Sequence, residues 1–207
     1  MKAKTTMGTS RPADGLQRGA SLIMVMIILT IVSLLGIAGI QISMMSERGA
    51  RNDRDMQLAW QSAEAALMDA ENDLFGPGTS SRRIVFTPVT DSSLFIDGCG
   101  STGNSIGLCR LVTTGKPSWL TVDFTDATSS APTTAYGTYT ARSFAAGGAG
   151  VQPAKVPRYI IEAIKDPGDT NGLMIAPGQS KYVYRVTAMG FGPRSDIQAI
   201  VQMVYRD

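Results

Sequence analysis

Between Ala20 and Ser46 the chain carries no charged side chain, a run of 27 residues closed by Arg18-Gly19 on one side and Glu47-Arg48 on the other. No other segment limits the possible folds so sharply. An α-helix rises about 1.5 Å per residue, so roughly 20 to 23 such residues cross a hydrocarbon core about 30 Å thick. Between Ala20 and Ile42 there are 13 Leu, Ile and Val residues. At roughly −0.3 to −0.6 kcal/mol each, they favour insertion by about 4 to 8 kcal/mol. Ser21, Thr30, Ser33 and Gln41 subtract from this, but no charge opposes it. The segment belongs in a membrane.

Flanking charge gives the orientation. The leader holds Lys2, Lys4, Arg11 and Arg18 against Asp14 alone, which keeps it on the cytoplasmic side. Beyond the span stands the mixed cluster Glu47, Arg48, Arg51, Asp53, Arg54 and Asp55, so the remainder is expected in the periplasm or outside. Formal net charge is +2. Without residues 1–19 it becomes 15 basic against 16 acidic groups, a net of −1. The mild basicity belongs to the leader and gives no reason to expect direct nucleic-acid binding.

Cys99 and Cys109 bracket the Gly-rich "GSTGNSIGL". Such a loop can bring two cysteines within disulfide reach, and closing it would stabilise the fold by about 3 kcal/mol in the chain-entropy model. Two free thiols or half a metal site also fit the spacing. The chain has no histidine and no further cysteine to complete zinc coordination, so the disulfide is preferred in an oxidising compartment.

The helix is expected to outrun the membrane. In residues 47–76, Met56, Trp60, Ala63, Leu67, Ala70 and Leu74 recur at spacings of four, three, four, three and four, one face of an amphipathic helix. Glu64, Asp69, Glu71 and Asp73 lie mostly off that face. Gly76-Pro77-Gly78 ends it. A single helix from about Ala20 to about Leu74 follows, with Gly36, Gly39 and Gly49 as weak points. The stripe of Trp60, Ala63, Leu67 and Leu74 is expected to cover a sheet. From Ser81 onward the pattern turns strand-like: "RIVFTPV", "LCRLVTT", "SWLTVDF", "YGTYTARS", "RYIIEAI", then "KYVYRVTAMG" and "SDIQAIVQMVY" joined by a hairpin at "FGPR". "AAGGAG" and "DPGDTNGLMIAPGQS" read as connectors. The fold class is therefore α+β, a long N-terminal helix packed on an antiparallel β-sheet, with residues 77–207 as a β-rich head.

A secretory signal has an apolar core of about 7 to 15 residues with a small-residue cleavage site after it. Here the apolar run is longer, and the small residue, Gly19, comes first. Basic leader, Gly19, then an uncharged helix from Ala20 resembles a type IV prepilin. The helix-borne "LAWQSAEAAL" and the closing "YRVTAMGFGPRSDIQAIVQMVYRD" resemble the PilX-type minor pilins, as "GLCR" followed by "KPSWL" does more weakly. The resemblance implies that a membrane-embedded prepilin peptidase cuts after Gly19 on the cytoplasmic face and methylates the new N-terminal Ala20. It implies a type IV pilin-like fold, residence in the inner membrane before assembly, and a place in the surface pilus afterwards. It also implies contact with other minor pilins, the major pilin and a tip-associated adhesin.

One position departs from the family pattern. Most pilins have glutamate at the fifth mature position, where it meets the methylated amine of a neighbouring subunit; counted from Ala20, that position is Met24. A buried ammonium without a partner costs several kcal/mol. Met24 therefore suggests a special place at or near the pilus tip, and the plainer reading is one more lipid-facing side chain. The resulting expectation is a minor pilin that primes assembly and supports twitching motility and adhesion. Two alternatives remain: a pseudopilin of type II secretion, and a single-pass envelope sensor or enzyme with an uncleaved anchor.

Other patterns carry less. Asp166, Asp169 and Asn171 look like a calcium loop, but in EF-hand register Pro167 and Gly178 fall where acids are needed. "TTGKP" lacks the glycine spacing of a phosphate loop. Arg82-Arg83 reads as a solvated pair, and Met44, Met45 and Met56 as packing residues. Without histidine the commonest general base is missing, and no nucleophile motif is seen, so neither an enzyme nor a cofactor is expected.

Overall fold

The computed structural model describes residues 20–77, 82–87, 90–148, 151–166 and 181–206. The chain divides into two units, Met1–Ala50 and Arg51–Asp207. Helix α1 spans Ala20–Phe75, within one residue of the expected end. In the first unit its large apolar side chains, from Leu22 to Met45, are all between 52% and 73% exposed. It is long and apolar enough to cross a membrane. Thr30 silences its hydroxyl by donating to the Met26 carbonyl one turn back, at 2.7 Å. Gly36, Gly39 and Gly49 interrupt nothing, because α1 runs through all three.

In the second unit, α1 lies on a sheet of five strands: β1 Leu108–Cys109, β2 Thr134–Ala135, β3 Arg158–Lys165, β4 Tyr182–Phe191 and β5 Gln198–Arg206. The order is β1-β3-β4-β5, with β2 also pairing with β3. The long pairings are antiparallel, from Arg158↔Met189 to Lys165↔Tyr182 and from Val183↔Arg206 to Phe191↔Gln198. β2 is antiparallel to β3 as well, while β1 is parallel to it, Leu108 facing Ile161. The sheet is thus mixed by one two-residue strand where a wholly antiparallel one was expected, and β2 falls just before the expected "YGTYTARS".

Alternation along the strands sorts the core into two layers. Tyr159, Ile161, Tyr184, Val186 and Ala188 pack with Ala66, Leu67, Ala70 and Leu74 of α1. Phe75 meets Tyr184 and Tyr205 edge-on, ring centroids 6.2 and 6.5 Å apart. The alternate side chains Ile160, Met189 and Phe191 pack with Cys99, Cys109 and Phe124. Loops therefore cover part of the second face of the sheet, a layer that strand patterning did not foretell.

Four expected strands are revised. Arg83–Phe86 of "RIVFTPV" is a short helix, α2, and Ser118–Thr121 of "SWLTVDF" another, α3. "LCRLVTT" keeps only two strand residues, and "YGTYTARS" is turn and loop. A short apolar run has no period long enough to separate helix from strand, and here tertiary contacts decided. Pro117, with φ −64°, precedes α3 and begins it. The "FGPR" hairpin is present, the turn running from Gly192 to Ile197 and closed by the Gly192 amide on the Ile197 carbonyl at 2.8 Å. Most of "DPGDTNGLMIAPGQS", with Asp169 and Asn171, lies outside the described residues.

Candidate functional site

The residues expected to govern processing stand at the start of α1. Gly19 lies outside the described residues; Ala20 is the first residue of the helix. Met24 is 69% exposed on the helix surface. A helix with this outer surface cannot be at rest in water: at about 25 cal/mol per Å2, each exposed Leu or Ile forgoes on the order of 1.5 to 3 kcal/mol of burial. Such a surface suits lipid or other apolar helices.

The face of α1 that meets the sheet is not the expected one. Ala63, Leu67, Ala70 and Leu74 are buried, but Trp60 is 48% exposed and does not cover the sheet. The buried set also includes Ala59, Ser62, Ala66, Asp69 and Asp73. At 100° per residue this face is rotated by about 60° from the apolar stripe, toward Asp69 and Asp73 and away from Glu64 and Glu71. Close approach is the cause. A Cβ on Gly190 of β4 would lie 2.2 Å from the Ala63 amide nitrogen and 2.3 Å from the Ala59 carbonyl oxygen. Backbone that near to backbone admits alanine and glycine and leaves no room for an indole.

Rotation brings two carboxylates inward. Asp73, fully buried, accepts from the Arg82 backbone amide at 3.2 Å and from Arg82 Nε at 3.1 Å, with Nη2 on its second oxygen. The Tyr159 hydroxyl donates to it at 2.9 Å. Arg82 is 2% exposed, not a solvated residue as its Arg-Arg setting suggested. Its Nη1 donates to the carbonyls of Asn104 at 3.0 Å and Ile106 at 2.6 Å, and its guanidinium lies 3.8 Å over the Tyr139 ring. Burial works against the Arg82 charge, but the Asp73 bonds outweigh it and raise its pKa. Burial, reinforced by Asp73, holds the Tyr159 phenol well above its ordinary range. Asp69 accepts from the Gly137 amide at 2.7 Å and from the Thr140 hydroxyl. These bonds lower its pKa less than burial raises it. The network ties α1 to α2, to the 104–106 turn, to the 137–140 turn and to β3. Its partners are up to 86 residues apart, so helix periodicity could not disclose it.

Cys99 and Cys109 are bonded to each other. Cys109, in β1, is fully buried, and Cys99 sits at φ +72°, an uncommon backbone for a residue other than glycine. On the same side of the sheet, Glu162 of β3 is buried and accepts from Arg185 Nε at 2.8 Å. Burial raises its pKa against the opposing pull of Arg185. Among the described residues, no three His, Cys, Asp or Glu side chains gather so as to hold a metal ion. The buried acids are each engaged in a structural bond, an arrangement that fixes surfaces in place.

A family model described as PilX N-terminal matches residues 18–67, and one described as the C-terminal part of the type IV pilus assembly protein PilX matches residues 105–207. Comparisons with curated proteins and with solved structures return no match. The first matched span holds the apolar half of α1 and the alanine face as far as Leu67; the second holds all five strands.

Proposed function

From the premise that this chain belongs to the PilX-type minor pilins of type IV pilus assembly, we propose that it primes assembly of the pilus and is incorporated at or near the tip. The family is a structural one. The observation that carries the reading is α1 itself: one continuous helix whose first part is bare and apolar, and whose last part is held under a sheet. Such a helix fits a single pass through the inner membrane, with the leader in the cytoplasm and the head in the periplasm. Cleavage after Gly19 leaves a rod starting at methylated Ala20. On assembly the rod exchanges lipid contacts for the helices of other pilins.

Tip placement rests on Met24. A glutamate there would neutralise the amine of a neighbouring subunit in an apolar core; a methionine supplies no charge. The chain then fits where no earlier amine needs a partner. In this reading the head contacts other minor pilins and a tip-associated adhesin, and twitching motility and adhesion depend on it; membership of a pilus assembly family supports contact with other pilus components.

Deleting the chain from its host is the test. Surface pili and twitching should fall sharply, while export of type II secretion substrates continues. Normal piliation with failed secretion would move the chain to the pseudopilins.

A further inference from the structure

A second candidate surface lies in the head, away from α1. A cavity of about 470 Å3 opens between the 124–127 loop, the end of β2, the 146–147 loop and the start of β3. Its walls carry the rings of Phe124, Tyr136 and Phe191 and the cationic side chains of Lys155 and Arg158. Apolar walls with a few convergent polar groups, at this volume, are the ordinary make-up of a small-ligand site.

The two cations are bonded to neutral oxygens, and the carboxylates that act on them, Asp123 on Lys155 and Asp126 on Arg158, do so through space. Arg158 uses Nε and Nη2 on the Thr133 hydroxyl and carbonyl, at 2.5 and 2.6 Å. Lys155 Nζ donates to the Thr125 carbonyl at 3.2 Å and stands 5.7 Å from the centre of the Phe191 ring. Among the described residues neither makes an ion pair with a carboxylate. The nearby acids Asp123 and Asp126 each commit Oδ1 to their own turn, Asp123 to the Thr125 amide and hydroxyl and Asp126 to the Thr128 amide, so they offset part of the cationic field without closing on either side chain. Ion pairs of the described head residues lie elsewhere: Asp73 with Arg82, Asp97 with Arg110, Glu162 with Arg185, Asp196 with Arg194 and Asp166 with Arg206.

The cavity is also held in shape. The Ala154 amide donates to the Gly192 carbonyl at 2.7 Å, and the Gly147 amide to the Pro153 carbonyl at 2.8 Å. The loops that form its walls are thus tied to the β4–β5 turn and to each other. A ligand meets a preformed wall, and binding needs little ordering of the protein.

We propose that this cavity binds an organic anion with an apolar body, a carboxylate on an aromatic or similarly flat group. The anionic end lies between Lys155 and Arg158, and the apolar body among the three rings. Neutral ligands would leave both cations desolvated without gain, and cationic ones would be repelled.

The probe is 2-naphthoate, titrated calorimetrically into the full-length chain in detergent, with the same detergent alone as the blank. One saturable site is expected. The neutral 2-naphthamide should bind at least about tenfold more weakly, as should the anion to Lys155→Gln and Arg158→Gln, since a charge-assisted hydrogen bond is at stake in each. Should Arg158→Gln not fold once its Thr133 bonds are gone, Lys155→Gln and Ala146→Phe replace it. Phe at the partly exposed position 146 fills the cavity from its loop and should abolish binding. The proposal is overturned by the absence of saturable heat above the blank, by equal affinity for naphthoate and naphthamide, or by unchanged affinity in Lys155→Gln and Ala146→Phe. None of these results bears on pilus assembly, which the deletion tests separately.

Discussion

Asp73 has four donor groups around it, from Arg82 and Tyr159, and no access to water. Removing one partner of such a pair leaves the other charge buried and alone. Asp73→Ala is therefore expected to lose about 3 to 5 kcal/mol in urea unfolding of the head, and a loss below about 1 kcal/mol would refute the pairing. Gly190→Ala should be comparably severe, because the new Cβ meets helix backbone rather than a movable side chain. Trp60→Ala should cost the isolated subunit about 1 to 1.5 kcal/mol, well short of the loss at a buried aromatic, as its indole is half in solvent. A large loss there would restore the expected apolar stripe. Asp69 and Glu162 set the pH dependence. Burial raises both above their ordinary values of 3.8 and 4.5. The folded state then holds these protons to higher pH than the unfolded chain does, so their contribution is fully present below the ordinary values and is lost as pH rises through the raised ones. The head should thus be more stable just above pH 4.5 than at neutrality, and Glu162→Gln should flatten that slope. Stability rising across this window in the parent, with no change in Glu162→Gln, would contradict the assignment.

At the scale of elements, what could be read from sequence is what local pattern decides. The ends of α1 follow from an uncharged start and Gly76-Pro77. The β4–β5 hairpin follows from Tyr184, Val186 and Ala188 alternating with Arg185 and Thr187 across a Gly-Pro turn. The pairing of Cys99 with Cys109 follows from a short Gly-rich loop. What could not be read is decided by contacts distant in sequence. Whether "RIVF" is helix or strand depends on Arg82 being drawn into Asp73, and whether Trp60 or Ala59 faces inward depends on Gly190, some 130 residues later. Replacing both cysteines by serine should cost about 3 kcal/mol of head stability. Because Cys109 belongs to β1, whose only strand partner among the described residues is β3, amide exchange should quicken first at Leu108–Cys109 while β3–β4–β5 stays protected. Uniform loss of protection would show that the bridge supports the whole sheet.

At the scale of the molecule, function lies in the division of α1 between an apolar surface with nothing upon it and a face fitted closely to β4. In the proposed tip placement, Met24 sets what kind of neighbour the first part accepts. Introducing glutamate by Met24→Glu should change pilus number or the position of the subunit, because it adds a charge that seeks a neighbour's amine; unchanged piliation and position would remove the argument for the tip. The family and the helix were legible from the first 75 residues, since charge, length and the order of glycine and apolar run are all one-dimensional features. Neither the polar clamp under the sheet nor the cavity beside Lys155 is of that kind. The account's central claim is that the leader is removed and the helix kept for assembly. Mass spectrometry of the native protein from sheared pili tests it most directly. The predicted chain begins at N-methylated Ala20; a chain still carrying residues 1–19 in a normally piliated cell would contradict it.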